Sequence, residues 1–225
     1  KLRMNKDLQD QFKGNVGLLC HSASIDSNFD HSVQIFQNCF GDRFKKIYGP
    51  QHGFVTDVQD NMIESDHYTH PYFKLPVFSL YSETRKPTDS MLEGIDHLFI
   101  DLQDVGTRIY TYIYTMTYVL EACANKNIEV VILDRPNPID ANTVEGNVLD
   151  LKFASFVGRH PLPVRHGLTM AEVAKMHQQY WVKDKANLTI IEMENYDREM
   201  SFDQTLLPWI MPSPNLPTVE GCYTF

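Results

Sequence analysis

The chain has 225 residues, 43% hydrophobic and 22% charged, enough to bury a sizeable core without disulfide or metal staples. That composition excludes disordered, collagen-like and coiled-coil chains. Lys and Arg number 20 against 29 Asp and Glu, a formal net charge of −9; with no basic run, a broad nucleic-acid or anionic-membrane surface is not expected.

The four cysteines (Cys20, Cys39, Cys123 and Cys222) are widely spaced and form no CxxC pair. They read as buried thiols rather than zinc ligands or a disulfide framework. No apolar stretch approaches the ~18 residues a membrane span needs. The longest candidate, 109–123, is broken by Tyr and Thr and carries Glu121. No signal peptide is visible. Because the chain starts at Lys1 rather than Met, the compartment stays open: periplasmic or secreted if a leader has been removed, cytoplasmic otherwise.

Strand-like and helix-like segments alternate. Residues 16–21 (VGLLCH) form a short apolar strand. Residues 32–40 place Val33, Phe36 and Phe40 at helical spacing, and 44–48 (FKKIY) read as a strand running into Gly49-Pro50. The interval 51–75 is polar, rich in His and Asp, and without periodicity, as long functional loops are. Residues 77–80 are strand-like. Residues 88–95 read as a helix capped by Thr88, 97–102 as a strand, and 110–125 as the longest helix. Residues 128–133 (IEVVIL) are the clearest buried strand. Residues 169–181 read as a helix opened by a Thr169/Glu172 capping box, and 188–193 as a last strand. Such alternation predicts an α/β fold, a parallel sheet with helices on both faces. The domain boundaries read as 1–205 for the α/β unit and 206–225 for an extended Pro-rich segment leading toward a second domain.

Polar clusters follow several predicted strands, and ligands of open α/β sheets bind at the carboxyl ends of strands. These clusters are 49–54 (GPQHGF), 81–86, 101–108 and 134–138. No GxGxxG or GxxxxGK[ST] occurs, so the phosphate cradles of nucleotide-binding folds are not expected, and no cofactor is implied. His52, His67 and His70 allow a metal-dependent hydrolase as an alternative, though no HxxxH pair sits on a predicted helix. Carboxylates near strand ends (Asp101, Asp104, Asp134 and Glu145) suit glycoside hydrolysis, which needs one acid and one ionised partner. Asp101 also reads as a structural partner for an arginine. Arg85, Arg108, Arg135 and Arg165 are forks able to grip a carboxylate. Tyr110, Tyr112 and Tyr114 offer rings and hydroxyls for a sugar, but helical spacing cannot turn all three one way.

Seven ordered blocks carry a resemblance. They are GPQHGF (49–54), LYSETRKPT (80–88), DLQDVGTRIYTYI (101–113), LDRPNP (133–138), VEGNVLD (144–150), PVRHGLTM (163–170) and LPWIMPSPNLPT (207–218). Together they resemble the exo-β-N-acetylmuramidases of peptidoglycan recycling, long known as a domain of unknown function. The resemblance implies a Rossmann-like N-terminal domain whose cleft faces a smaller C-terminal domain, here missing or truncated. It implies release of N-acetylmuramic acid from the non-reducing end of peptidoglycan fragments, with a peptidoglycan-derived sugar or muropeptide as partner. The lactyl carboxylate of muramic acid gives the arginines a purpose.

One position departs from the family. Its GPEHG block carries a glutamate regarded as catalytic, and Gln51 stands there. An amide can serve neither as proton donor nor as carboxylate base. Three readings follow: a divergent branch in which Asp57, Asp60 or Glu64 takes the role, an engineered knock-out, or a protein that binds the amino sugar without cleaving it. The expected catalytic group is Gln51, His52, Glu64 and Asp104. The expected substrate contacts are Arg108, Tyr112, Arg135, Asn137, Arg165 and His166, with no metal.

Overall fold

The computed structural model describes residues 1–56 and 64–224. Seven strands form one sheet: β1 (Val16–Cys20), β2 (Phe44–Gly49), β3 (Tyr68–Thr69), β4 (Pro76–Ser79), β5 (His97–Asp101), β6 (Glu129–Leu133) and β7 (Asn187–Ile191). Their order is β3-β4-β2-β1-β5-β6-β7. All neighbours pair parallel except β3, a two-residue antiparallel edge on β4. The chain starts in the middle, winds out to one side, then returns to lay β5 against the other flank of β1. That reversal makes this a doubly wound, Rossmann-like α/β fold, with its switch point between β1 and β5.

Every residue of β1 is buried, as a central strand covered on both faces requires. Alternate side chains feed two cores. Leu19, Leu98, Ile100, Val130 and Ile132 face the longest helix, α4 (Tyr112–Cys123), and α5 (Met170–Met176). Val16, Leu18, Cys20, Phe99 and Val131 face α2 (Ser32–Phe40), where Phe36 and Phe40 pack on Phe99. All four cysteines are free, and Cys20, Cys123 and Cys222 are buried.

Two elements lie outside the sequence reading. Helix α1 (Lys6–Gln11) is capped by Asn5, whose side chain accepts from Leu8 N. β3 sits inside the interval expected to be a loop. Three expected helices are shorter than their apolar pattern, α4 by two residues at each end. α3 is only Asp89–Leu92, because the chain turns at Gly94 with φ +73. α5 opens on the expected Thr169/Glu172 capping box, then loosens after Met176 into a π turn, His177–Trp181. Residues 207–218 do not run free over the surface: Trp209 packs on the α4-side core, and Leu216 is buried in it. The last short helix, α6 (Glu220–Tyr223), buries Cys222 in the same core. Among the described residues, no helix is long and apolar enough to cross a membrane.

Candidate functional site

The site begins where β2 ends. Gly49 pairs with Ser79 of β4, and Leu80 N donates to Gly49 O, so the turns after β2 and β4 leave side by side. The chain then reverses through Pro50-Gln51-His52-Gly53, closed by Gly53 N on Pro50 O at 3.0 Å. Gly49 is obligatory here: a Cβ on it would lie 2.8 Å from Phe54 N. His52 has φ +70, a left-handed conformation that costs a non-glycine residue free energy. Strain of this kind, held in a buried turn, presents Gln51 and His52 inward; both are at most 5% exposed.

Facing this turn is the start of α4. The polar run that precedes it keeps residues 110–111 out of the helix, so α4 begins at Tyr112 rather than at the expected Tyr110. Thr111 Oγ1 donates to Gln51 Oε1 at 2.6 Å. The His52 and Tyr110 rings lie 6.3 Å apart, Tyr110 meets Tyr112 edge-on at 5.0 Å, and Tyr112 meets His21 at 4.8 Å. Burial pushes the Tyr110 and Tyr112 hydroxyls well up, so both stay neutral donors. The Pro-rich segment closes the third side. Tyr112 Oη donates to Pro212 O, which sets Ser213 and Asn215 against the turn. The result is a cleft of about 220 Å³ lined by Gln51, His52, Ile109, Tyr110, Thr111, Val157, Ser213 and Asn215.

Asp104 and His166 form a second buried pair just behind. Asp104 Oδ2 accepts from Gly106 N at 3.0 Å and lies 3.5 Å from His166 Nε2. His166 Nδ1 accepts from Leu168 N, so in the neutral ring the proton sits on Nε2, toward Asp104. Asp104 Oδ1 is buried with no hydrogen-bond partner among the described residues. Its negative charge is one of the factors that raise Tyr110, although burial dominates there.

The structure places the remaining expected residues elsewhere. Arg135 Nε and Nη2 clamp Asp101 at 2.5 and 3.0 Å, as expected of Asp101 but not of Arg135. Arg108 donates to the carbonyls of Asn147 and Leu162. Arg165 pairs with Asp140 and Glu145. These three forks tie loops together, and none lines the cleft. Asn137 is likewise spent on backbone, donating to Leu168 O and accepting from Ile139 N. Tyr112 donates to Pro212 O and so anchors the Pro-rich segment. Glu64 is exposed and pairs with Arg85, while Asp57 and Asp60 fall outside the described residues. His67 Nδ1 accepts from Ser79 N, and His70 Nδ1 from Tyr72 and Phe73 N. Neither histidine lines the cleft with His52, and no group of three His, Cys, Asp or Glu among the described residues could hold a metal.

Thr111, Ser213 and Asn215 are site residues that the sequence reading did not single out. Thr111 could have been found as the polar residue just ahead of an apolar helix. The other two carry no local signal, because a surface Pro-Ser-Pro-Asn run looks the same wherever it docks. A larger groove of about 750 Å³ opens between residues 25–28, Arg135 and 204–207. It shares no residue with the cleft around Gln51.

A Rossmann-like domain with a polar cleft at the carboxyl edge of its sheet has its candidate site where open α/β folds bind ligands. The particular family follows from comparison. Residues 16–220 match the family model "Exo-beta-N-acetylmuramidase NamZ, N-terminal", and the chain belongs to that family. It is 41% identical over 220 residues to the peptidoglycan β-N-acetylmuramidase NamZ of Bacillus subtilis (strain 168), covering 97% of this chain and 53% of that protein. Two solved DUF1343 family proteins from Bacteroides fragilis NCTC 9343 share the fold. One is 35% identical with a TM-score of 0.86 over 97% of this chain and 56% of its own; the other is 32% identical with a TM-score of 0.75 over 94% and 54%. The chain spans about half the length of the relatives it matches.

Proposed function

We propose that the full-length protein is an exo-acting glycoside hydrolase that releases terminal N-acetylmuramic acid from the non-reducing end of peptidoglycan fragments. One observation carries this reading: three blocks far apart in sequence, 49–54, 101–113 and 207–218, meet in a single cleft. The Tyr110 ring and neutral hydrogen-bonding groups fit a sugar.

Gln51 cannot transfer a proton, so another carboxyl has to act. Asp104 suits the task better than Glu64. It is buried, it faces the Nε2–H of His166, and it sits beside Tyr110, whereas Glu64 is exposed and paired with Arg85. A second reading, a muropeptide-binding protein that does not hydrolyse, is favoured by Gln51 itself, whose Oε1 is fixed by Thr111. A glutamate at position 51 would accept the same hydrogen bond.

The test is release of the aryl group from a chromogenic β-N-acetylmuramide, with the N-acetylglucosaminide as control. The full-length protein would run beside its Gln51→Glu and Asp104→Asn variants. Selective turnover by the unmodified protein, lost in Asp104→Asn, is expected. Turnover only in Gln51→Glu, with a gain of about 10²–10⁴ typical of a restored acid/base, would establish the binding-protein reading instead. No turnover and no sugar binding by any of the three would refute both.

A further inference from the structure

The proposed substrate carries a carboxylate, yet no Lys or Arg among the described residues lines the cleft, and the three arginines expected to meet that carboxylate are engaged elsewhere. Four other arginines are held by carboxylates or backbone carbonyls. Arg3 bridges Asp26 and Asp30, Arg43 caps the carbonyls of Phe12 and Gly14, Arg159 pairs with Glu121, and Arg198 with Glu172.

Arg85 is built differently. It lies in the loop after β4, the strand that pairs with β2 and so delivers its turn beside Gln51. Its guanidinium sits over the Tyr81 ring, with Cζ 4.0 Å from the centroid, and 5.7 Å from the Phe156 ring. Phe156 in turn packs on Tyr81, with centroids 5.7 Å apart. The next residue, Val157, is a wall of the cleft. A cation held over a buried tyrosine ring is anchored in place, and the hydrogen bonds of this one to Ser82 O and Glu64 both leave from Nη1. One Nη1–H is used on Ser82 O. The only carboxylate it meets among the described residues is Glu64, through a single contact of 3.3 Å. Side-chain exposure is 30% for Arg85 and 52% for Glu64. An exposed ion pair with one long contact contributes little, so another carboxylate with better geometry replaces it readily.

We infer that Arg85 is the specificity-determining residue for the anionic group of the sugar, and that Glu64 holds its place until a substrate carboxylate displaces it. The inference rests on the proposed muramic-acid reading. The exchange swaps one carboxylate for another, so no proton need be taken up or released. A guanidinium fork favours a bidentate grip on a carboxylate over a neutral hydroxyl or an ester. It also assigns Glu64 a role other than acid/base chemistry.

The test measures binding of N-acetylmuramic acid and of its lactyl methyl ester to the full-length protein by titration calorimetry. Unmodified protein, Arg85→Gln, Arg85→Lys and Glu64→Gln are compared, with thermal melts to confirm folding. The unmodified protein is expected to favour the acid by about 10-fold or more, the range of a charge-assisted pair. Arg85→Gln should bind acid and ester alike, and Arg85→Lys should recover part of the preference. Glu64→Gln should bind the acid several-fold more tightly by removing the competitor. An acid/ester ratio unchanged in Arg85→Gln, or acid affinity that falls in Glu64→Gln, would overturn the assignment while leaving the sugar reading intact. If the unmodified protein binds neither sugar, the functional reading fails and the inference with it.

Discussion

Asp101 is the residue whose loss should be felt most directly at the switch point between β1 and β5. Its side chain is 3% exposed, and that of its partner Arg135 is 15% exposed. Both carboxylate oxygens are engaged by the Arg135 fork, and Ser32 donates to one of them. Burial alone would raise this carboxyl, but the Arg135 charge and the two donors outweigh it and hold the group below the usual carboxylate range. Asp101→Asn keeps the shape and one acceptor but removes the counter-charge, leaving a guanidinium deep in the fold. Breaking a buried pair this way costs about 3–5 kcal/mol, and the retained amide acceptor puts the expected loss near the low end, about 3 kcal/mol. For a chain of this size that is a drop of about 6–12 °C in melting temperature. Urea and thermal unfolding followed by circular dichroism would measure it. The pH dependence adds a check. A depressed carboxyl contributes stability that is present above its unfolded value near ~3.9 and is lost as pH falls through its folded value, so the variant should be less sensitive to acid below pH ~4. A loss under ~1 kcal/mol, or an acid profile identical to that of the unmodified protein, would refute the claim that this pair holds the strand ends.

Two further predictions concern the helix layer and the cleft wall. His160 stacks on Trp181 at 4.3 Å with His177 edge-on at 5.0 Å; burial comes first among the causes that hold the two imidazoles down, to about 3 and about 4, and the Arg159 charge adds to it. The unfolded chain takes up these protons from pH ~6.5 downward, so stability should fall as pH drops from about 6.5 toward 4, and His177→Phe should flatten that slope in urea titrations at pH 7 and 5; an unchanged slope would exclude this pair as its source. Tyr112→Phe removes the hydroxyl that anchors Pro212 O and should cost about 1–2 kcal/mol, together with a several-fold loss of sugar affinity, because Ser213 and Asn215 lose their fixed position; full retention of both would mean that the Pro-rich segment is held by Trp209 and Leu216 alone.

Much of the fold was legible because its signals are local. The continuous apolar runs of β1 and β6, the Thr169/Glu172 capping box and the Val33/Phe36/Phe40 spacing each specify an element without help from the rest of the chain. What escaped was decided elsewhere. α1 is too short for periodicity to show, and β3 exists only because β4 offers it an edge. The site divided in the same way. Gln51 and His52 could be picked out because their turn has its own chemistry. Arg108, Arg135 and Arg165 sit close to the expected loops, but residue type says nothing about which acceptor lies nearest. Asp101, Asp140 and the carbonyls of Asn147 and Leu162 reach those guanidiniums first. Thr111 and Asn215 acquire a role only through the crossing of the Pro-rich segment, a contact between residues a hundred positions apart.

That crossing has a consequence for how the protein is made. The ribosome delivers the GPQHG turn early and the whole parallel sheet before residue 200, so the scaffold can begin to condense while the chain is still being synthesised. Ser213 and Asn215 emerge only after the sheet, and Tyr112 must wait for Pro212 before its hydroxyl finds an acceptor. A nascent chain halted at residue 205 would therefore carry Gln51, His52 and Tyr110 in a cleft open on one side. Until residues 212–215 are made, the cleft lacks its third wall.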